Sequence, residues 1–148
     1  MNTLNHIAFI MDGNGRWGLK KKKNRNYGHT QGLKTVQKIV EASMLYKIPV
    51  VSFYVFSNEN WKRPKTEINY LFNLINLYFK KEIENIVKNK IRINISGRLK
   101  ILPKEIKKNL RLAVKKTKKN KRLIVNLAIN YSSKNEIIDS IKKLNLNS

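Results

Sequence analysis

Cysteine is absent from this 148-residue chain, which excludes disulfides and thiolate metal sites and agrees with a reducing, cytoplasmic setting. Only two histidines, His6 and His29, are present, too few for a His-rich metal centre. No apolar run approaches the roughly 18 residues that a membrane span requires. The start, MNTLNHIAFIM, has neither a cationic lead nor a small-residue cleavage site, so it is not expected to be a secretory signal. Acids are scarce too: nine Asp and Glu stand against 32 Lys and Arg, and only Asp12 and Asp139 are aspartates. The net charge of +23 would ordinarily point to nucleic acid or an anionic membrane. The excess, however, is 25 Lys to 7 Arg, spread among abundant Asn and Ile, a pattern that coding bias toward A- and T-rich codons also produces. Nucleic acid is therefore not the expected partner. KKKK at 20–23 and KKTKKNKR at 115–122 read as solvated surface whose field would also attract polyanionic substrates such as diphosphates.

With 41% hydrophobic and 28% charged residues, the chain is expected to form one globular domain, 1–148, with a buried core. Periodicity divides it into alternating strands and helices. HIAFIM (6–11) is an apolar run of buried-strand type, and 28–47 sets Leu33, Val36, Ile39, Val40 and Met44 on one helical stripe. PVVSFYVF (49–56) is β-branched and aromatic, with Pro49 at its start where a missing N–H is tolerated. The segment 66–87 predicts a helix with Thr66 as N-cap, Glu67 in its first turn, and the stripe Ile68, Leu71, Ile75, Phe79, Ile83 and Ile86. IRINIS (91–96) alternates as a strand does, and 103–119 aligns Ile106, Leu110, Ala113 and Thr117 on a helix. A fourth strand follows at 122–131, then a helix at 134–146 carrying Ile137, Ile138, Ile141 and Leu144. This order predicts an α/β fold, a mainly parallel sheet flanked by helices and joined by right-handed crossovers.

Open parallel sheets bind ligands at the carboxyl ends of their strands. The loops DGNGRW, SNENWKRP and NYSSKNE would project from that edge and make neighbours of Asp12, Ser57, Glu59, Asn60, Arg63 and Asn130. Gly13 and Gly15 permit a close backbone approach, and successive N–H groups there would form a nest for phosphate oxygens. Arg16, Arg25 and His29 would add contacts to the same anion. Asp12 would repel it unless a hard divalent cation such as Mg²⁺ lies between them. The segment is neither a Walker loop nor a dinucleotide fingerprint. Taken one by one, DGNG is equally a plain turn, SNENWKRP a capping segment, and Trp17 and Trp61 packing residues. In the 66–87 helix, Tyr70, Leu74 and Leu77 lie off the main stripe and Phe72 widens it, which suits either full burial or a face lining a channel for a hydrocarbon.

These residues resemble the cis-prenyltransferase family, the undecaprenyl diphosphate synthases and relatives. HIAFIMDGNGRW, then R-x-x-G-H-x-x-G at Arg25 to Gly32, then FSNENWKRP and LAINY occur in the family's order and at about its spacing, from His6 to about Ile138. The resemblance implies an enzyme that elongates an allylic diphosphate, commonly farnesyl diphosphate, by condensing isopentenyl diphosphate onto it with Mg²⁺ and forming cis double bonds. Asp12 would bind the Mg²⁺ and assist departure of the allylic diphosphate, with Gly13, Asn14, Gly15, Arg16, Arg25 and His29 holding that group and Trp17 beside the substrate. Ser57, Asn58, Glu59, Asn60, Trp61 and Arg63 would shape the place where the new bond forms. Asn60 is the family's proposed proton acceptor, but a neutral amide is a weak base, so positioning a water or diphosphate oxygen is the expected role.

Ser132 and Ser133 stand where the family usually has two glycines. The family's later R-x-S-G-E-x-R-x-S-N-F segment, which supplies arginines for isopentenyl diphosphate, a second acidic Mg²⁺ region and much of a homodimer contact, has no counterpart here. A C-terminally shortened member with an incomplete second substrate site is therefore expected. Two alternatives stand beside catalysis: a non-catalytic or truncated member acting as a partner subunit, and a basic nucleic-acid-binding domain. Peripheral membrane contact is expected from the lipid product, not from any clear amphipathic anchor.

Overall fold

A computed structural model describes residues 4–145 of the chain. The strands are β1 (His6–Ile10), β2 (Val50–Ser57), β3 (Ile91–Ser96) and β4 (Leu123–Tyr131), and all pair in parallel in the order β1-β2-β4-β3. The helices are α1 (Asn14–Lys22), α2 (Arg25–Leu45), α3 (Lys65–Lys88), α4 (Lys104–Thr117) and α5 (Ser133–Asn145), with short 3₁₀ turns at Asn58–Lys62 and Leu99–Ile101. The α/β alternation read from the sequence is the one observed. Residue 146, the expected last residue of the final helix, lies outside the described residues.

Three boundaries differ, each for a local reason. The stretch expected to be a loop after β1 turns helical at Asn14, because Gly13 takes a left-handed conformation (φ 86°, ψ −14°) that reverses the chain at once. Helix α2 starts at Arg25, three residues before the expected boundary, because the Asn24 side chain accepts from the N–H groups of Asn26 and Tyr27. Thr66 is not the N-cap of α3: Pro64 holds that position without a side-chain cap, and Thr66 lies within the helix.

The core forms on one face of the sheet. Val51, Phe53, Phe56, Leu123, Val125 and Ile129 meet the buried stripes of α3 (Ile68, Phe72, Phe79, Ile86) and α4 (Ile106, Leu110, Ala113), with Val36, Ile39, Val40 and Met44 of α2 partly buried against them. Thr117 is fully buried because its hydroxyl donates to the Ala113 carbonyl (2.7 Å) and accepts from the Ile93 N–H (3.0 Å), locking α4 to β3. Alternate strand residues point away from this core. They form a polar row, His6 to Ser52 (2.7 Å), Asn126 to Ser52 (3.0 Å) and Asn94 to Asn126 (3.1 Å).

Strand β1 is an edge, and Ile10 is 82% exposed. Helix α5 carries Ile137, Ile138, Ile141 and Leu144 on one face, and all four are exposed. An Arg98–Asp139 pair (2.6 and 2.8 Å) ties the helix to the turn after β3. Arg98→Ala is expected to speed amide exchange across 133–145 while β2 and β4 stay protected; unchanged exchange would show that the pair does not hold the helix. The Arg98 hydrogen bond holds the Asp139 carboxyl below its ordinary range. The pair is therefore intact above that range, and the wild-type helix should loosen in the same way only as pH falls through the lowered value.

Candidate functional site

Strand β1 delivers Asp12 to the carboxyl edge of the sheet. One Asp12 oxygen accepts from the Gly13 N–H (2.6 Å) and the other from Arg16 Nη2 (3.0 Å). The Gly13 N–H and then the Arg16 charge hold this carboxyl below its ordinary range, so it stays ionised at neutral and mildly acidic pH. Both side chains of the pair are about two-thirds exposed. A surface pair of this kind is weak and leaves the carboxylate able to take another cation.

Helical spacing gathers the next group. Arg25, Gly28, His29 and Gly32 share one face of α2 at i, i+3, i+4 and i+7. That face meets α1 at Gly28, where a Cβ would lie 1.9 Å from the Asn14 carbonyl oxygen, so only glycine permits the crossing. The close packing sets Gly15 beside Arg25 and His29.

These groups converge on Glu67, which the sequence suggested only as a first-turn acid. It is 7% exposed, and its carboxylate accepts from His29 Nε2 (3.0 Å) and Arg63 Nη1 (3.3 Å), with Arg25 Nε 3.9 Å away. A buried acid needs such partners to offset its lost hydration. The available signal was the spacing of Arg63 and Glu67, four apart across the start of α3.

A cavity of about 270 Å³ adjoins this cluster. Asp12, Asn14, Arg16, Arg25, His29 and Arg63 supply polar lining, whereas Leu33, Val36, Leu71, Leu74, Ile75 and Phe79 supply apolar lining. From Glu67 to Phe79 is twelve residues, or about 18 Å along α3, so the lining changes from polar to apolar down the helix. Tyr78 also lines it, its hydroxyl pushed up to about 12 mainly by burial, hence neutral. Of the three residues off the α3 stripe, only Leu74 faces the cavity. Tyr70 hydrogen-bonds Thr30 (2.8 Å), and Leu77 is 63% exposed.

A second, open cleft of about 730 Å³ shares Asp12, Asn60 and Arg63 with the first and adds Ser57, Asn58, Glu59, Tyr131 and Ser132. SNENWKRP forms the 3₁₀ turn Asn58–Lys62, closed by a capping box in which Asn60 Oδ1 accepts from the Ser57 N–H (3.1 Å). The amide oxygen of Asn60 is thereby committed to the backbone. Its NH₂ is left for a ligand.

Other expected neighbours fall outside the cavities. Trp61 packs on Phe56 (5.4 Å) and Phe72 (5.6 Å) and donates to Asn130 Oδ1 (2.8 Å). Asn130, buried and at φ 52°, donates to the Arg98 carbonyl (2.6 Å) and braces the end of β4 instead of facing a ligand. Trp17 stacks on Tyr27 (5.7 Å) and lines neither cavity. Among the described residues, no three His, Asp or Glu side chains are grouped to hold a metal. Asp12 offers one hard ligand that bound phosphate oxygens would have to complement, the usual arrangement for Mg²⁺.

The family model described as "Putative undecaprenyl diphosphate synthase" matches residues 10–148. The chain belongs to the undecaprenyl diphosphate synthase family. An isoprenyl transferase of Halalkalibacterium halodurans is 43% identical over 139 residues, 94% of this chain and 54% of that protein. A ditrans,polycis-undecaprenyl-diphosphate synthase ((2E,6E)-farnesyl-diphosphate specific) of Buchnera aphidicola subsp. Schizaphis graminum is 44% identical over 142 residues, covering 96% and 57%. The crystal structure of a probable undecaprenyl diphosphate synthase from Campylobacter jejuni matches with TM-score 0.79 at 36% identity, covering 99% of this chain and 64% of that one. Lavandulyl diphosphate synthase from Lavandula x intermedia matches with TM-score 0.92 at 22% identity, over 97% and 62%, and shows the shared fold. This member thus spans between 54% and 64% of the length of these relatives.

Proposed function

We propose that this family member is a prenyltransferase that condenses isopentenyl diphosphate onto an allylic, farnesyl-like diphosphate to give a cis-polyprenyl diphosphate. The observation that carries this reading is the pair of cavities meeting at Asp12, Asn60 and Arg63, one deepening into apolar lining and the other open and polar. A condensation of two diphosphates, one with a growing hydrocarbon tail, needs that division. The names of the relatives support the same chemistry.

In this reading the allylic diphosphate lies against Gly13, Asn14, Gly15, Arg16, Arg25 and His29 and its hydrocarbon extends toward Leu71, Leu74 and Ile75. Isopentenyl diphosphate occupies the cleft beside Ser57, Asn58, Glu59 and Arg63. Asp12 fits the role of the protein's ligand to Mg²⁺, being an exposed, ionised carboxylate at the junction of the cavities. When bound there, Mg²⁺ would neutralise charge on the departing diphosphate. Arg16, Arg25 and Arg63 stabilise the same developing anion, and the Asn60 NH₂ orients a diphosphate oxygen or water that accepts the proton. Trp61 acts from behind, by holding the 3₁₀ turn, and Trp17 from the rim.

Labelled isopentenyl diphosphate supplied with farnesyl diphosphate and Mg²⁺ should enter butanol-extractable product. Leu74→Trp, which narrows the apolar lining, is expected to shorten that product while slowing the first condensation less than about threefold, because one bulky side chain blocks length and not the diphosphate site. Product of unchanged length would remove Leu74 from the path of the chain.

A second reading has its own observation. Among the described residues no strand pairs with the outer edge of β1, and the matched relatives are longer than this chain. A partner subunit or second copy that covers this edge would then be needed for turnover, and activity would rise with added partner or with protein concentration.

A further inference from the structure

The basic run at 20–23 remains outside the two-cavity site, and its surroundings give it a use. From Gly13 to Val40 the sequence has eight Lys and Arg and no Asp or Glu. Six of these cations, Arg16, Lys20 to Lys23 and Arg25, are exposed on α1, its C-terminal cap and the start of α2. Helix α1 is held inward by its buried Gly15 and Gly18, so Arg16, Trp17, Lys20 and Lys21 lie on the opposite, outward side. Trp17 is 43% and Leu19 40% exposed among these lysines. Arg16 and Arg25 also line the cavity, so this surface adjoins the mouth of the apolar pocket.

The plain alternative is a helix C-terminus dressed with cations. Lysines in the last turn do favour the helix dipole, and Lys23 closes α1 in a left-handed cap. The dipole acts within a single turn, however, and does not call for an exposed indole and leucine beside the charges. Soluble polyanions likewise need no apolar residues. Lysine clusters with interfacial Trp are what an anionic bilayer surface recognises.

We propose that the exposed basic surface of α1 and its C-terminal cap, Trp17, Leu19 and Lys20 to Lys23, docks on anionic phospholipid bilayers and presents the mouth of the apolar cavity to the membrane surface. The partner is the lipid surface itself, and the contact is peripheral, since among the described residues no helix is long and apolar enough to cross a membrane. The second basic run supplies an internal control. Lys115, Lys118, Lys119 and Lys121 are exposed at the end of α4 and the turn into β4, the amino edge of the sheet, opposite the cavity mouth.

The test is cosedimentation of the full chain, without substrate, with phosphatidylcholine vesicles and with vesicles in which a third of the lipid is phosphatidylglycerol. Lys20, Lys21 and Lys22→Gln with Lys23→Asn, chosen because Asn tolerates the left-handed cap, is expected to weaken binding to anionic vesicles roughly a hundredfold or more. The equal charge change at Lys115, Lys118, Lys119 and Lys121→Gln should weaken it less than about tenfold. Leu19→Ser should cost a further severalfold, and salt at 0.5 M should release most of the bound protein. Circular dichroism confirms that each variant is folded.

Equal losses from the two quadruple variants would overturn the proposal in favour of unspecific net charge. So would wild-type binding by the 20–23 variant, failure to bind anionic vesicles, or preference for a single-stranded RNA competitor over vesicles at matched charge. Because binding is read without turnover, loss of docking and loss of prenyl transfer are distinguished.

Discussion

Asp12→Ala is expected to lower prenyl transfer by roughly a thousandfold or more while leaving the melting temperature nearly unchanged. Two separate physical facts give these two outcomes. The carboxylate is mostly exposed, and its pairing with Arg16 is a surface contact, so its removal takes little from folding. It also stands where the two cavities meet and is the residue proposed to bring a divalent cation to diphosphate oxygens. Asp12→Asn separates charge from shape: it should retain the turn at Gly13 yet lose nearly as much activity. The measurement is single-turnover incorporation of labelled isopentenyl diphosphate at saturating Mg²⁺. An Asp12→Ala rate within tenfold of wild type would remove Asp12 from the chemistry.

The second large effect is expected at Glu67, and it has the opposite signature. Glu67→Ala should destabilise the fold by about 3 kcal/mol, because removing one member of a buried hydrogen-bonded charge cluster leaves the rest unpaired. Arg63 and Arg25 are partly exposed and can turn to water, which keeps the figure near the low end; His29 is as buried as Glu67 and cannot. In turnover the same change should raise KM for the allylic diphosphate at least tenfold, since two guanidinium groups and an imidazole, from α2 and from the turn before α3, lose the acceptor that fixes them. Glu67→Gln is the control for folding. It keeps one acceptor in place, should restore most of the stability, and should still show the raised KM. A Gln variant with wild-type stability and wild-type KM would reduce Glu67 to a packing group.

How much of this was legible beforehand varies by kind of feature. The stripe Ile106, Leu110, Ala113 and Thr117 announced α4 because helix burial repeats at short, fixed spacing. The β-branched and aromatic run at 49–56 announced the strand β2, and its apolar character suits the place that the sheet gives it between β1 and β4. Asp12, Asn60 and Arg63 were drawn together by the rule that loops at one edge of a parallel sheet share a site, and all three line both cavities. The same rule misjudged Asn130, whose left-handed backbone turns its side chain inward to Trp61. Trp17, which the resemblance puts beside the substrate, stacks on Tyr27 and lines neither cavity.

The sequence alone determined the order of strands and helices, the family motifs and the residue types at the site, because periodicity and motif spacing are local properties of a chain. Only the tertiary structure decided that Glu67 is a buried hub and not a helix-end charge, that Leu74 and not Leu77 lines the cavity, and that one face of α5 stays uncovered. Each of these depends on what another segment places within a few ångströms. For Glu67 that segment is α2, whose His29 reaches it at 3.0 Å from 38 positions away, a contact that no periodicity encodes.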